Sequence, residues 1–265
     1  MDYVIVGGDA RFMWLARLLK RRGAEVATVF QSDEPGDTAL IRDAKSIVVN
    51  APPGSCPGEI TLEGLLDMRR EGTVVYACGP EHPPQAEGIV DLWSDEALIA
   101  RNARLTAEGA VIAAARAADC ALDDMRGLVV GWGRIGRALT EILVALGARV
   151  TVVSRSEANR NRAVERGAEA AATEDLAEAL QGHRLIFNTA PSMLLDASTL
   201  CGAERDALLV DLASPPYGID LRAAWEQGLR AWREPRLPGR YCPESAARAL
   251  LEAIKRHERG GAERE

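Results

Sequence analysis

The chain is poor in the residues on which metal and nucleophile chemistry most often rests. Among 265 residues there are three histidines (His82, His183, His257) and five cysteines (Cys56, Cys78, Cys120, Cys201, Cys242). The cysteines are odd in number, scattered and never spaced C-x-x-C, which argues against a disulfide framework and gives no zinc pattern. Three histidines leave little for a metal site or a catalytic triad. No apolar run approaches the roughly 18 residues of a membrane span. Met1-Asp2-Tyr3 puts no basic region ahead of the first apolar stretch, so a cytoplasmic protein is expected. With 39 acidic against 32 basic residues, a formal charge of −7 and no basic block, neither a nucleic-acid footprint nor binding to an anionic membrane is expected. A small molecule is the expected partner.

What is present is the balance of a globular protein, 47% hydrophobic and 27% charged, at a length that suits two modest domains. Short β-branched runs alternate with amphipathic segments: Tyr3-Val6, Glu25-Phe30, Ser46-Asn50 and Thr73-Ala77, then Leu128-Gly131, Arg149-Ser154, Arg184-Asn188, Ala207-Asp211 and Leu229-Trp232. Such alternation, with strands apolar throughout, predicts an α/β class with two doubly wound parallel sheets of Rossmann-like type. Between the two strand sets, Ser94 is placed to cap a helix with Asp95 and Glu96 in its first turn. The expected organisation is a Rossmann-like substrate domain over 1–103, a connecting helix over 104–122, a dinucleotide-binding domain over 123–241, and a C-terminal helix and charged tail over 242–265. The proline-started segment from Pro243 to His257 is expected to pack back on the first domain.

An internal repeat appears at an offset of 124 residues, from Gly7 to Gly131. Each copy reads strand, glycine turn, helix, glycine cap, strand. In the second copy, Gly131-Trp-Gly133-Arg134-Ile135-Gly136 follows a strand and opens a helix. The first glycine permits the turn, the second lets a pyrophosphate reach the backbone, the third lets helix and strand pack, and the helix N-terminus supplies N–H groups. In the first copy the same positions are Gly7, Asp9 and Phe12, so a carboxylate stands where the diphosphate would sit. That half is free to bind substrate, with Asp9 and Arg11 at the C-terminal end of its first strand. About 20 residues after the glycines an NAD site usually offers an acid to the ribose. Here the strand ends Ser154-Arg155-Ser156, and two hydroxyls around a guanidinium suit a 2′-phosphate, so the expected cofactor is NADP(H). Arg160 and Arg162 are either helpers or surface charges.

Polar loops after later strands add candidates. Asn188-Thr189-Ala-Pro191 and Asp211-Leu-Ala213-Ser are expected to contact the nicotinamide end of the cofactor, although both are also ordinary turn chemistry. On the segment joining the strand sets stand Asn102, Thr106 and Glu108. Thr106 and Glu108 cannot share one helix face, so one of them is expected to start the helix. Glu108 is read as a general base, as a partner for a protonated ring nitrogen, or as a first-turn acid that merely favours the helix dipole. Cys78 ends a first-domain strand without a histidine to activate it, and is read as structural. Arg240, in the loop that returns to the last helix, is a candidate carboxylate clamp.

These residues together resemble the A-type family of bacterial dipicolinate synthase subunits. The resemblance runs through Gly7-Gly8-Asp9-Ala10-Arg11, Thr106-Ala-Glu108-Gly109, the Gly131 fingerprint, Asn188-Thr-Ala-Pro191-Ser192, Asp211-Leu-Ala-Ser214 and Leu237-Pro238-Gly239. It is fullest from about residue 100 to 255 and thinner between 30 and 95, where the chain looks shortened. It implies oxidation of a dihydropyridine dicarboxylate to dipicolinate during spore formation, with NADP⁺ taking the hydride. The partners implied are the small dicarboxylate, a flavoprotein-like B-type subunit and further copies of the chain. Arg11, Asn188 and Glu108 are then the candidate catalytic residues, with Asp9, Arg11, Asn102, Thr106 and Arg240 on the substrate. One departure stands out: the family's last loop usually reads Ala-Pro-Lys-Thr-Ala, and here Cys242-Pro243-Glu244-Ser245-Ala246 replaces a cation by an acid. Two other readings stand beside this one: a non-catalytic NADP-binding regulatory subunit, and an NADP-linked dehydrogenase of another small carboxylate. A D-2-hydroxyacid dehydrogenase needs a late histidine paired with an acid, and none lies between 184 and 256.

Overall fold

The structure, a computed structural model, describes residues 1–29, 35–50, 62–79, 83 and 85–262. Cys56, His82, Pro80 and the proline- and glycine-rich loop over 51–58 lie outside the described residues. The chain divides into two compact units, Met1–Asn102 with Pro238–Glu265, and Ala103–Leu237.

Unit 1 is built in chain order from β1 (Tyr3–Val6), α1 (Ala10–Lys20), β2 (Val26–Val29), α2 (Pro35–Arg42), β3 (Ser46–Asn50), α3 (Leu62–Met68), β4 (Val74–Cys78) and β5 (Ile89–Asp91). The strands form one parallel sheet in the order β2-β1-β3-β4-β5. Its β1 and β3 are almost wholly buried, as expected of strands covered on both faces. α4 (Glu96–Ala117) runs across the division between the units. The connecting helix expected over 104–122 therefore begins earlier and ends sooner than its expected bounds, and its cap falls one residue after Ser94. Ser94 lies in a preceding 3₁₀ turn, its hydroxyl donating to the Asp91 carbonyl, and Asp95 caps α4 by accepting the Leu98 N–H at 2.8 Å.

Unit 2 continues with β6 (Gly127–Val130), α5 (Arg134–Ala145), β7 (Val150–Val153), α6 (Glu157–Glu165), β8 (Glu169–Ala171), α7 (Leu176–Ala179), β9 (Leu185–Asn188), α8 (Ala197–Leu200), β10 (Leu208–Asp211), α9 (Leu221–Glu226) and β11 (Arg230–Arg233). These strands form a six-stranded parallel sheet, β11-β10-β9-β6-β7-β8. The chain order reverses beside β6, which puts the glycine turn at the topological switch point where open α/β sheets receive ligands. α10 (Leu237–Tyr241), where the sequence suggested a loop, and α11 (Pro243–Ala262) complete the chain. α11 packs back on the first unit as expected: Ala247, Leu250, Leu251 and Ile254 share a core with Phe12, Leu15 and Leu19 of α1. No helix among the described residues is long and apolar enough to cross a membrane.

Candidate functional site

The glycine fingerprint has the geometry its spacing predicts. Gly131 turns with φ +103°, a conformation open to glycine, and a Cβ there would stand 2.6 Å from Thr189 Oγ1. A Cβ on Gly136 would strike the Gly131 carbonyl, so only glycine lets α5 approach the turn. Gly133 differs from both, because nothing lies within 4 Å of where its Cβ would be. It is also the N-cap of α5 and offers no side chain to the helix amides. Space, exposed amides and a helix dipole together fit a diphosphate. Thr189 closes the turn from the β9 side, its N–H and hydroxyl both donating to the Val130 carbonyl at 2.8 and 2.9 Å. Arg134 is exposed and Ile135 half-buried on the first turn of α5.

At the end of β7, Ser154 is buried and Arg155 exposed. The Ser156 hydroxyl caps α6 by accepting the Asn159 N–H. Arg160, left open between helper and surface charge, braces this loop: its Nη1 donates to the Ser154 carbonyl at 2.8 Å and the Arg155 carbonyl at 3.0 Å.

The expectation that Asn188 and Asp211 touch the cofactor is corrected. Asn188 is fully buried, its Nδ2 donating to Asp211 Oδ1 at 2.8 Å and the Ala190 carbonyl at 3.1 Å, while its Oδ1 accepts the Ala190 N–H. Asp211, also buried, accepts the Ala213 N–H on Oδ1 and the Gly218 and Ile219 N–H groups on Oδ2. Asn188 and these amides take up the Asp211 oxygens, so the pair ties the loops after β9 and β10 together rather than meeting a ligand. Asn188 is therefore a positioning residue, and Ala213 takes part through its backbone. Pro191 remains exposed beyond this lock. Two neighbours escaped the sequence reading. A Cβ on Gly218 would strike Asn188 Nδ2, and Arg233 lies 3.9 Å from Asp211 Oδ2 and over the Tyr217 ring, which sits at φ +68°. The available signal was strand register, since Arg233 ends β11 directly opposite Asp211.

In unit 1, Asp9 is the N-cap of α1 and pairs with Arg11, Nε to Oδ1 at 2.8 Å. Cys78 is buried, and desolvation pushes its thiol up to about 12 despite the opposing Arg11 charge, so it stays protonated. Arg240 is exposed on α10 with its guanidinium 5.4 Å from the Tyr241 ring centre. On α4, Asn102 is half-buried, Thr106 buried, and Glu108 pairs with Arg104 one turn back at 3.4 Å. α4 begins ten residues before Thr106, so neither Thr106 nor Glu108 starts the helix and the first-turn reading of Glu108 is overturned. Among the described residues no group of three His, Cys, Asp or Glu could hold a metal ion.

Residues 98–214 match the family model described as D-isomer specific 2-hydroxyacid dehydrogenase, NAD binding domain, which identifies the cofactor class as a nicotinamide dinucleotide. The chain is 32% identical to the A-type subunit of dipicolinate synthase from Bacillus subtilis (strain 168), over 97% of this chain and 95% of that protein. The crystal structure of the corresponding dipicolinate synthase subunit from Bacillus halodurans superposes with a TM-score of 0.80 at 25% identity, covering 96% of each chain. That of the Bacillus subtilis protein gives 0.80 at 26% identity, covering 100% of this chain and 98% of the other.

Proposed function

The chain belongs to the A-type family of dipicolinate synthase subunits, and on that premise we propose that it oxidises a dihydropyridine dicarboxylate to pyridine-2,6-dicarboxylate with NADP⁺, acting in the cytoplasm beside a B-type subunit during spore formation. The observation that carries this reading is one βαβ plan used for two chemistries: an open glycine cradle after β6, and a largely buried guanidinium, Arg11, at the start of the helix after β1. The first suits a diphosphate and the second a carboxylate.

The roles divide accordingly. Gly131, Gly133, Gly136 and the amides of α5 hold the diphosphate, Thr189 keeps the turn in shape, and Arg155 meets the 2′-phosphate on a loop held by Arg160. Bound NADP⁺ supplies the hydride acceptor. The substrate loses one hydride and one proton and gains an aromatic ring, which supplies the driving force, so the protein needs chiefly to orient it and take the proton. Arg11 and Arg240 serve the two carboxylates, and Glu108, paired with Arg104, is the proposed proton acceptor. The NADP assignment rests on the acid-free end of β7, since a carboxylate there would repel a 2′-phosphate.

The test follows NADP⁺ reduction and dipicolinate appearance from freshly generated dihydrodipicolinate, with the chain alone and with a B-type subunit. Turnover is expected, and cofactor binding without turnover in both mixtures would favour a regulatory subunit. Arg155→Asp is expected to weaken NADPH binding by about tenfold to a hundredfold, the worth of a charge-assisted contact, and NADH binding far less. Equal losses for both cofactors would overturn the 2′-phosphate assignment.

A further inference from the structure

The first unit repeats the strand–turn–helix plan of the second with its anion chemistry moved from backbone to side chain. After β1 the chain turns through Gly7 and Gly8, at φ +67° and +100°, and Asp9 takes the N-cap place that Gly133 holds in the other copy. Both oxygens of the Asp9 carboxylate then face Arg11. Oδ1 accepts the Arg11 backbone N–H at 3.0 Å and Arg11 Nε at 2.8 Å, and Oδ2 lies 3.1 Å from the same Nε. On its other side the carboxylate lies against Gly239 of α10, where any Cβ would strike it. Asp9 thus caps α1 through the Arg11 amide and holds the Arg11 guanidinium with both oxygens.

Arg11 is anchored differently. Its side chain is 17% exposed, its guanidinium carbon lies 5.8 Å from the Phe12 ring centre, and Nε alone is hydrogen-bonded; among the described residues no hydrogen bond reaches Nη1 or Nη2. A guanidinium held along its Nε side keeps its outer pair of nitrogens in one plane, the arrangement that receives a carboxylate through two parallel hydrogen bonds. We propose that Asp9 is a positioning residue that sets Arg11 as a clamp for a single planar carboxylate, with Gly239 making room for the Asp9 carboxylate behind it. The proposal rests on the reading of unit 1 as the substrate-binding part and adds which atoms do the binding.

The experiment is calorimetric binding to the full chain of pyridine-2,6-dicarboxylate and its uncharged diamide, for wild type, Asp9→Asn, Arg11→Lys and the double variant. Asparagine keeps the N-cap, so unchanged NADPH affinity and melting temperature report an intact fold. Arg11→Lys is expected to weaken dicarboxylate binding about tenfold or more through loss of the paired hydrogen bonds, leaving the diamide unchanged. Asp9→Asn removes a negative charge, and a mere counter-charge would make the dicarboxylate bind more tightly; a positioning residue makes it bind about threefold or more weakly. In the Arg11→Lys background Asp9→Asn is expected to do nothing further, whereas a general structural defect would still add its loss. Tighter or unchanged binding by Asp9→Asn, or a further loss in the double variant, overturns the positioning role, and an indifferent Arg11→Lys overturns the clamp. Turnover of dihydrodipicolinate by wild type is scored separately, so a failed clamp with intact turnover leaves the proposed reaction standing. A working clamp without turnover does the reverse.

Discussion

His183 shows how a residue type associated with catalysis can be committed to the fold. It precedes β9, at the amino ends of the unit 2 strands and so at the opposite edge of the sheet from the glycine turn. The ring is buried, with Nδ1 3.2 Å from the Gln181 carbonyl and Nε2 2.9 Å from Thr151 Oγ1. A neutral imidazole satisfies both, donating from Nδ1 and accepting the threonine hydroxyl at Nε2. Burial first, and the Arg126 charge second, hold its pKa below the ordinary value. The unfolded chain therefore binds this proton more readily than the folded one. Stability is complete above the unfolded value of about 6.5 and is lost as pH falls below it, by up to about 1.4 kcal/mol per pH unit. Urea titrations at a series of pH values are expected to show that fall below about pH 6.5 in the wild type and a shallower one in His183→Asn. Equal slopes would mean that another group carries the acid sensitivity.

At the scale of elements, the loops after β9 and β10 are held in one conformation by the Asn188–Asp211 contact. Asn188→Asp would set two carboxylates at hydrogen-bond distance in a buried site, so the pair would retain a proton to a pH well above the unfolded carboxylate value of about 4. A raised folded pKa contributes stability at low pH that is lost as pH rises. The destabilisation of this variant relative to wild type is expected to grow from acid to neutral pH, reaching about 3–5 kcal/mol, with weaker NADPH binding as the loops separate. A pH-independent difference in urea midpoint would rule out the coupled pair. The same elements show what was legible beforehand. The glycine turn, its strand and its helix could be read because each glycine answers a steric demand at fixed spacing. The inward turn of Asn188 could not, because a polar residue at a strand end looks alike whether it faces a ligand or a neighbouring loop. β5 and β8 went unread because each is a three-residue edge strand, and Glu169-Ala-Ala has no β-branched residue to mark it. The start of α4 was blurred by Ser94 and Asp95, two capping residues side by side, of which the structure uses the second on α4.

For the whole molecule, the path of the chain matters more than any single contact. It builds the first sheet, runs through α4 into the second unit, and returns through α10 to finish the first unit with α11. The repeat at an offset of 124 residues made the two sheets legible, and the helical spacing after Pro243 marked the returning helix. Asp95 near the start of α4 pairs with Arg256 of α11 at 2.8 Å, and Ile254 is fully buried in the core that also holds Phe12 and Leu250. Truncating Ile254 to alanine removes apolar contacts and leaves a cavity, so Ile254→Ala is expected to cost about 2–5 kcal/mol of stability. All the proposed dinucleotide contacts lie within Ala103–Leu237, so NADPH affinity is expected to stay at the wild-type value at temperatures where the variant is folded. Urea unfolding without ligand measures the first quantity and calorimetric titration of NADPH the second. Loss of NADPH affinity in step with the lost stability would mean that the core completed by α11 also supports the dinucleotide site, and the division of roles between the two units would have to be redrawn.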